Sequence, residues 1–224
     1  MLPLDPKRHG RVCCPALLLV LLTLWPAAVP AESATLESEV LVEALRTGGY
    51  NLYFRHEATD WSQTDQVLQP GDWASCDPAQ IRQLSAAGRA SATRTGNAMR
   101  ALAIPVGRVY SSPYCRAVET AEALGLGQVE TTADVMNLRV ADYFGGREAI
   151  VATARKRLAG SPAPGHNDIY VAHGNVARAA TSVYPGEGEA LVFKPSDDGG
   201  FDFVGRLPPQ TWQRLAGISG SSPE

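Results

Sequence analysis

Residues 50–60 read YNLYFRHEATD. The run from Tyr50 to Phe54 is short, mostly apolar and aromatic, which suits a buried strand. It then ends abruptly on Arg55, His56 and Glu57. A strand of this kind delivers a guanidinium and an imidazole to one edge of a sheet. The rest of the chain decides whether other strands end the same way.

On the N-terminal side, Leu36, Val40, Leu41, Ala44 and Leu45 have helical spacing, and Gly48–Gly49 stop that helix. On the C-terminal side, residues 57–77 show no periodicity. So long a loop is uncommon in a compact domain and is often functional. Residues 78–105 are Ala- and Arg-rich and read as mostly helical up to Pro105. Then follow a strand (GRVYSSP), a helix closed by Gly125 (YCRAVETAEALG) and a short strand (QVETT). Residues 133–147 are ambiguous. A helix (REAIVATARKRLAG), a strand (NDIYVAHG) and a helix (NVARAATSVYPG) come next. Two strands resembling a hairpin (EALVFKP, FDFVGRL) and a last helix (PPQTWQRLAG) close the chain. Strands alternating with helices predict an α/β fold, a three-layer αβα arrangement around a mostly parallel sheet with a mixed edge.

Residues 1–31 stand outside this pattern. Lys7, Arg8 and Arg11 precede an apolar run from Ala16 to Trp25, and small residues follow. This is the order of a secretory signal peptide, with cleavage expected after Ala31. The apolar run is too short to span a bilayer. An uncleaved signal anchor is the other reading. Cys13 and Cys14 precede the apolar run, which argues against a lipoprotein. Removal of 31 residues leaves 193, enough for a single domain over residues 32–218 with its own core, and residues 219–224 read as a disordered tail. The whole chain carries −3; taking away the +2 of Lys7, Arg8, Arg11 and Asp5 leaves −5. An acidic surface speaks against nucleic acid or an anionic membrane as partner. Export leaves Cys76 and Cys115 in an oxidising compartment. They can pair, or remain two separate buried thiols.

Parallel strands bring their carboxyl ends to one edge, where α/β proteins bind ligands. Here those ends carry Arg55 and His56, then Arg116 in the first turn after RVYSSP, then His173 followed by Gly174. Alone, each is an ordinary residue. Together they are two imidazoles and two guanidiniums in one cleft, a costly arrangement unless an anion with several oxygens lies between them. Helix N-termini after Pro113 and Gly174 add backbone N–H donors.

RHE at 55–57, LSAAGRASA at 84–92, SSPYCRAVETA at 111–121 and VAHGN at 171–175 occur in that order and span most of residues 48–185. As a set they resemble the histidine phosphatase superfamily, with its phosphoglycerate mutase-like fold. The resemblance implies that His56 is the nucleophile accepting a phosphoryl group. It also implies that Arg55 and Arg116 hold the transferring oxygens, that His173 bonds the same group as a cation, and that water then hydrolyses the phosphohistidine. The substrate expected is a small phosphorylated molecule, with no cofactor and no metal. His9 lies in the leader and His166 reads as a solvated loop residue.

Two positions depart from the family pattern. Glu57 stands where a glycine is usual. Asn137 falls where a glutamate often serves as the acid that protonates the leaving group. Candidate acids are then Glu57, Asp134, Asp142, Glu148 and Glu189. Glu57 is first among them because its neighbour reaches the cleft, although a solvated carboxylate or an arginine partner is an equal reading. Cys76 and Arg82 share the C-x5-R spacing of cysteine-dependent phosphatases. However, GDWAS is no strand, Pro78 removes a donor and Asp77 repels phosphate. A Cys76–Cys115 bond fits better, pinning the long loop beside the site. Trp61 and Trp73 in that loop either stack on a substrate ring or pack the loop. The leading expectation is an exported phosphomonoesterase; the rival is a non-catalytic phosphate-binding or envelope protein on the same scaffold. A phosphomutase fits less well, because glycolytic substrates are not expected outside the cytoplasm.

Overall fold

The computed structural model describes residues 35–218. The expected signal peptide and C-terminal tail lie outside the described residues. The strands are β1 (Asn51–Arg55), β2 (Val106–Ser111), β3 (Val129–Thr131), β4 (Asn167–Ala172), β5 (Ala190–Pro195) and β6 (Phe201–Leu207). The helices are α1 (Ser38–Thr47), α2 (Ala86–Ala101), α3 (Cys115–Leu124), α4 (Arg147–Ala159), α5 (Gly174–Thr181) and α6 (Pro209–Leu215).

All six strands form one sheet in the order β3-β2-β4-β1-β5-β6. The first four in that order are parallel, and β5 and β6 add an antiparallel hairpin beside β1. This is the α/β, mixed-edge sheet expected. Leu52, Tyr53 and Phe54 are all at most 1 % exposed, and every residue of β4 is buried. Continuous burial along neighbouring strands means both faces are covered, which makes the sheet the middle of three layers. α2, α3 and α6 pack as one group, and α4 packs with α5. α2 approaches the end of α3 so closely that a Cβ at Gly96 would collide with the Leu124 carbonyl. That contact fixes α3, and therefore Arg116, relative to the sheet.

The helix expected over 78–105 is shorter, starting only at Ala86. Ser85 caps it, its Oγ accepting from the Gly88 N–H at 3.0 Å. Residues 77–84 instead turn back toward β1's end, where Thr59 and Leu84 form an isolated antiparallel bridge. The ambiguous stretch 133–147 contains two 3-10 turns, Ala133–Val135 and Leu138–Phe144. Cys76 and Cys115 are disulfide-bonded with Cα atoms 5.4 Å apart, which ties the long loop to the first residue of α3. No helix among the described residues is long and apolar enough to cross a membrane.

Candidate active site

β1, β2 and β4 are parallel neighbours, so Arg55, Ser111 and Ala172 end at the same edge. The chain beyond them forms a cleft of about 240 Å³ that contains Arg55, His56, Arg116, His173 and Gly174. The structure thus brings the four charged and imidazole side chains singled out in the sequence into one place.

His56 continues the ladder of β1, its backbone N–H donating to Ala172 O at 2.9 Å. Its Nδ1 lies 2.9 Å from the Glu57 carbonyl, which can only accept, so Nδ1 carries the proton. The lone pair is then on Nε2, where the Nε–H of Arg116 donates to it at 3.3 Å. Burial pushes the His56 pKa down to about 3, and the charge of Arg116 adds to the effect. The ring is therefore neutral at pH 7, with its unprotonated Nε2 against Arg116.

His173 caps the start of α5 and is 2 % exposed. The Tyr53 hydroxyl holds its backbone from both sides, donating to His173 O at 2.8 Å and accepting from His173 N at 3.1 Å. The ring centroid is 5.6 Å from that of His56, and Nε2 lies 2.8 Å from Ser112 Oγ. Nδ1 is buried without a hydrogen-bond partner. Burial first, and then the charge of Arg116, hold its pKa well below the ordinary value. Burial and the neighbouring arginines favour the neutral imidazole, whereas the resemblance implies a cation in contact with the phosphoryl group.

Arg116, 1 % exposed, sits in the first turn of α3 above the Tyr114 ring. Its Nη1 and Nη2 donate to Asp65 Oδ1 and Oδ2 at 2.8 and 3.0 Å. Nη1 also reaches Arg82 O at 3.2 Å. Arg55 pairs with Glu187 at 3.2 Å, with its guanidinium 5.5 Å from the centre of the Tyr184 ring. Both arginines expected to grip phosphate already have carboxylate partners.

The candidate acids lie elsewhere. Glu57 does not reach the cleft. It follows His56 on the extended backbone beyond β1, and successive residues there face opposite ways. Its carboxylate accepts from Ser91 Oγ of α2 at 2.8 Å and lies against Gly188. At Gly188, whose φ is +70°, any side chain would collide with that carboxylate. Burial raises Glu57 to about 7. Asp134 pairs with Arg157 beside a separate cavity. Asp142 and Glu148 are exposed. Glu189 accepts from the Gly186 N–H and faces Arg206. Among the described residues, the carboxylate that lines the cleft is Asp65. Burial alone would raise its pKa, but the hydrogen bonds and charge of Arg116 outweigh this and hold it low.

Sequence reasoning missed Asp65, and it considered Arg82 only within a cysteine motif. The bond between Cys76 and Cys115 removes that motif, yet Arg82 lines the cleft, stacked 3.8 Å from the Trp61 ring centroid. Arg139, Asn175 and Tyr184 were also missed, while Asn137 lines the cleft and its Oδ1 accepts from Asn175 at 2.8 Å. The two tryptophans divide: Trp61 is in the cleft, and Trp73 packs on Tyr143 and Phe144. The useful signal was the cysteine pair. Once Cys76 is bonded beside Arg116, acidic residues of the intervening loop fall within reach of that arginine.

The family described as the histidine phosphatase superfamily (branch 1) matches residues 52–168. A search of curated protein sequences finds no match. The chain is similar to several solved structures. One is the protein histidine phosphatase SixA complexed with tungstate, at 14 % identity and TM-score 0.47, over 72 % of this chain and 97 % of that one. Another is TTHB049 from Thermus thermophilus, at 19 % identity and TM-score 0.47, over 71 % and 99 %. A third is a phosphoserine phosphatase variant from Entamoeba histolytica in complex with phosphoserine, at 14 % identity and TM-score 0.49, over 72 % and 98 %.

Proposed function

Because this chain belongs to the histidine phosphatase superfamily (branch 1), we propose that it is an exported phosphatase that works through a phosphohistidine on His56. Membership carries phosphatase or phosphomutase-type activity; hydrolysis is the finer reading. The observation that carries it is the pair of neutral imidazoles 5.6 Å apart, with the lone pair of His56 Nε2 directed by the Nδ1–H bond to Glu57 O.

The Nε2 lone pair attacks phosphorus, forming N–P as the P–O bond to the leaving group breaks. Positive charge then grows on the ring, and the Glu57 carbonyl that accepts from Nδ1–H stabilises it. Arg55, Arg116 and His173, which line the cleft, supply contacts for the phosphoryl oxygens. A dianion between the arginines opposes the repulsion that keeps His173 neutral, and so favours its protonation. Water then attacks phosphorus, N–P breaks, and His56 regains its lone pair.

The leaving group meets no ready acid. Asp65 is held ionised by Arg116, so it does not donate a proton at neutral pH. The substrates best suited are those whose leaving group departs unprotonated, such as aryl esters and anhydrides. Export is part of the same proposal. It is supported by the basic, apolar and small-residue order of the N-terminus and by a disulfide, a bond that persists in oxidising compartments.

The test is turnover of phenyl phosphate by the mature domain, together with trapping of an acid-labile phosphoenzyme. Loss of both in His56→Ala is expected; normal turnover by that variant overturns the mechanism. A second reading is a phosphate-binding protein without turnover. The observation favouring it is that Asp65 and Glu187 already occupy the two arginines. Phosphate binding with no phenyl phosphate hydrolysis would select it.

A further inference from the structure

The cleft is rich in guanidinium groups. Of its four guanidiniums, those of Arg55 and Arg116 are paired with Glu187 and Asp65. Those of Arg82 and Arg139 have no ion pair among the described residues, although both line the same cleft. The Arg82 guanidinium lies over the Trp61 ring, 3.8 Å from its centroid, and Trp61 is 66 % exposed. The Arg82 Nε is buried without a hydrogen-bond partner. The cation–π contact with the indole holds the guanidinium in place. Arg139 follows Asn137 in the turn Leu138–Phe144 and borders a second hollow shared with Asp65 and Tyr114. Burial, followed by the charge of Arg116, lowers the Arg82 pKa, and Arg139 adds to this, so the cations repel each other across the opening.

We propose that Arg82 and Arg139, with Trp61 as backing, form a second anion subsite that recognises a phosphate or carboxylate on the leaving-group side of the substrate. The substrate class is then a phosphoanhydride, or an aryl or acyl phosphate that carries a second phosphate or carboxylate, instead of the phosphate of a neutral alcohol. This rests on the reading of His56 as the attacked position. Paired guanidinium donors match the planar oxygens of either anion. An anion that touches both cations would relieve their mutual repulsion.

The test is isothermal titration of the His56→Ala chain, which blocks turnover. Pyrophosphate is compared with phosphate, and phosphoglycolate with ethyl phosphate. At least one doubly anionic probe should bind tenfold or more tighter than its reference. The pair that responds shows whether the second group is phosphate or carboxylate. Arg139→Ala, at an exposed turn position, should cut that advantage to below threefold. Arg82→Lys should keep the charge but lose most of the advantage through loss of the planar fork. If neither probe gains over its reference, or the gain survives both substitutions, the inference is wrong. Phenyl phosphate turnover by the unsubstituted chain reports separately on the phosphatase reading, so the two can fail independently.

Discussion

Asp65 and Arg116 hold each other through two parallel hydrogen bonds of 2.8 and 3.0 Å, with side chains only 5 % and 1 % exposed. The arginine beside His56 therefore arrives with an internal carboxylate in its fork. A substrate phosphoryl must share Arg116 with Asp65 or displace it.

Asp65→Asn removes the charge and retains much of the shape. Phosphate should bind several-fold to tenfold tighter, measured by titration calorimetry, because the competing anion is gone. The chain should also lose about 3 kcal/mol in urea denaturation, since a buried guanidinium is left without its counter-ion. The ratio of alkyl to aryl phosphate turnover should not fall. A selective fall on alkyl esters would mean that Asp65 is the missing acid.

The pH profile follows from His56. With its pKa near 3, the imidazole keeps its lone pair at every pH above about 4. The rate of phenyl phosphate hydrolysis, corrected for the substrate's own ionisation, should show no step near 6.5, where an ordinary imidazole protonates. A clear loss of rate through that region would show that His56 titrates normally.

Glu57 sets a different pH dependence, one of stability. Its folded pKa of about 7 lies above the ordinary value of 4.5, so the folded state holds the proton more tightly than the unfolded chain. That contribution is complete below about 4.5 and is lost as pH rises to about 7. Its size is about 3 kcal/mol, at 1.36 kcal/mol per pH unit. Glu57→Gln should flatten this slope and make the chain more stable than the unsubstituted one at pH 8, measured by denaturation at several pH values.

The Cys76–Cys115 bond closes a loop over a sequence separation of 39. The chain-entropy relation gives about 4 kcal/mol for a loop of that length. Reduction, or the double substitution Cys76→Ser and Cys115→Ser, should lower stability by up to this amount. It should also raise KM for phenyl phosphate, because the bond anchors the end of the segment that carries Asp65 and the start of the one that carries Arg82. Unchanged KM with lowered stability would confine the bond to a structural role.

Several features were legible along the chain because they depend on near neighbours. Apolar runs of strand length bounded by glycine and proline located β1, β2 and β4. Parallel strand ends then implied that Arg55, His56, Arg116 and His173 meet. The helix over 78–105 was read too long because Ala- and Arg-rich composition favours helix locally. The Ser85 cap and the Thr59–Leu84 bridge overrule it, and the bridge is a contact with a strand exit far away in sequence.

Local pattern was enough to place the α/β layout and the strand that presents His56, and to imply phosphoryl transfer at the cleft. Which carboxylates enter that cleft depends on long-range contacts. Glu57 looked best placed, yet strand alternation turns it away, to Ser91 and Gly188. Asp65 sits in a loop without periodicity, and it reaches Arg116 because a disulfide and a bridge fold that loop over α3. Periodicity records which face of an element is buried. It carries nothing about where an irregular loop lands, and here the loop supplies the charges that set how tightly Arg116 is held.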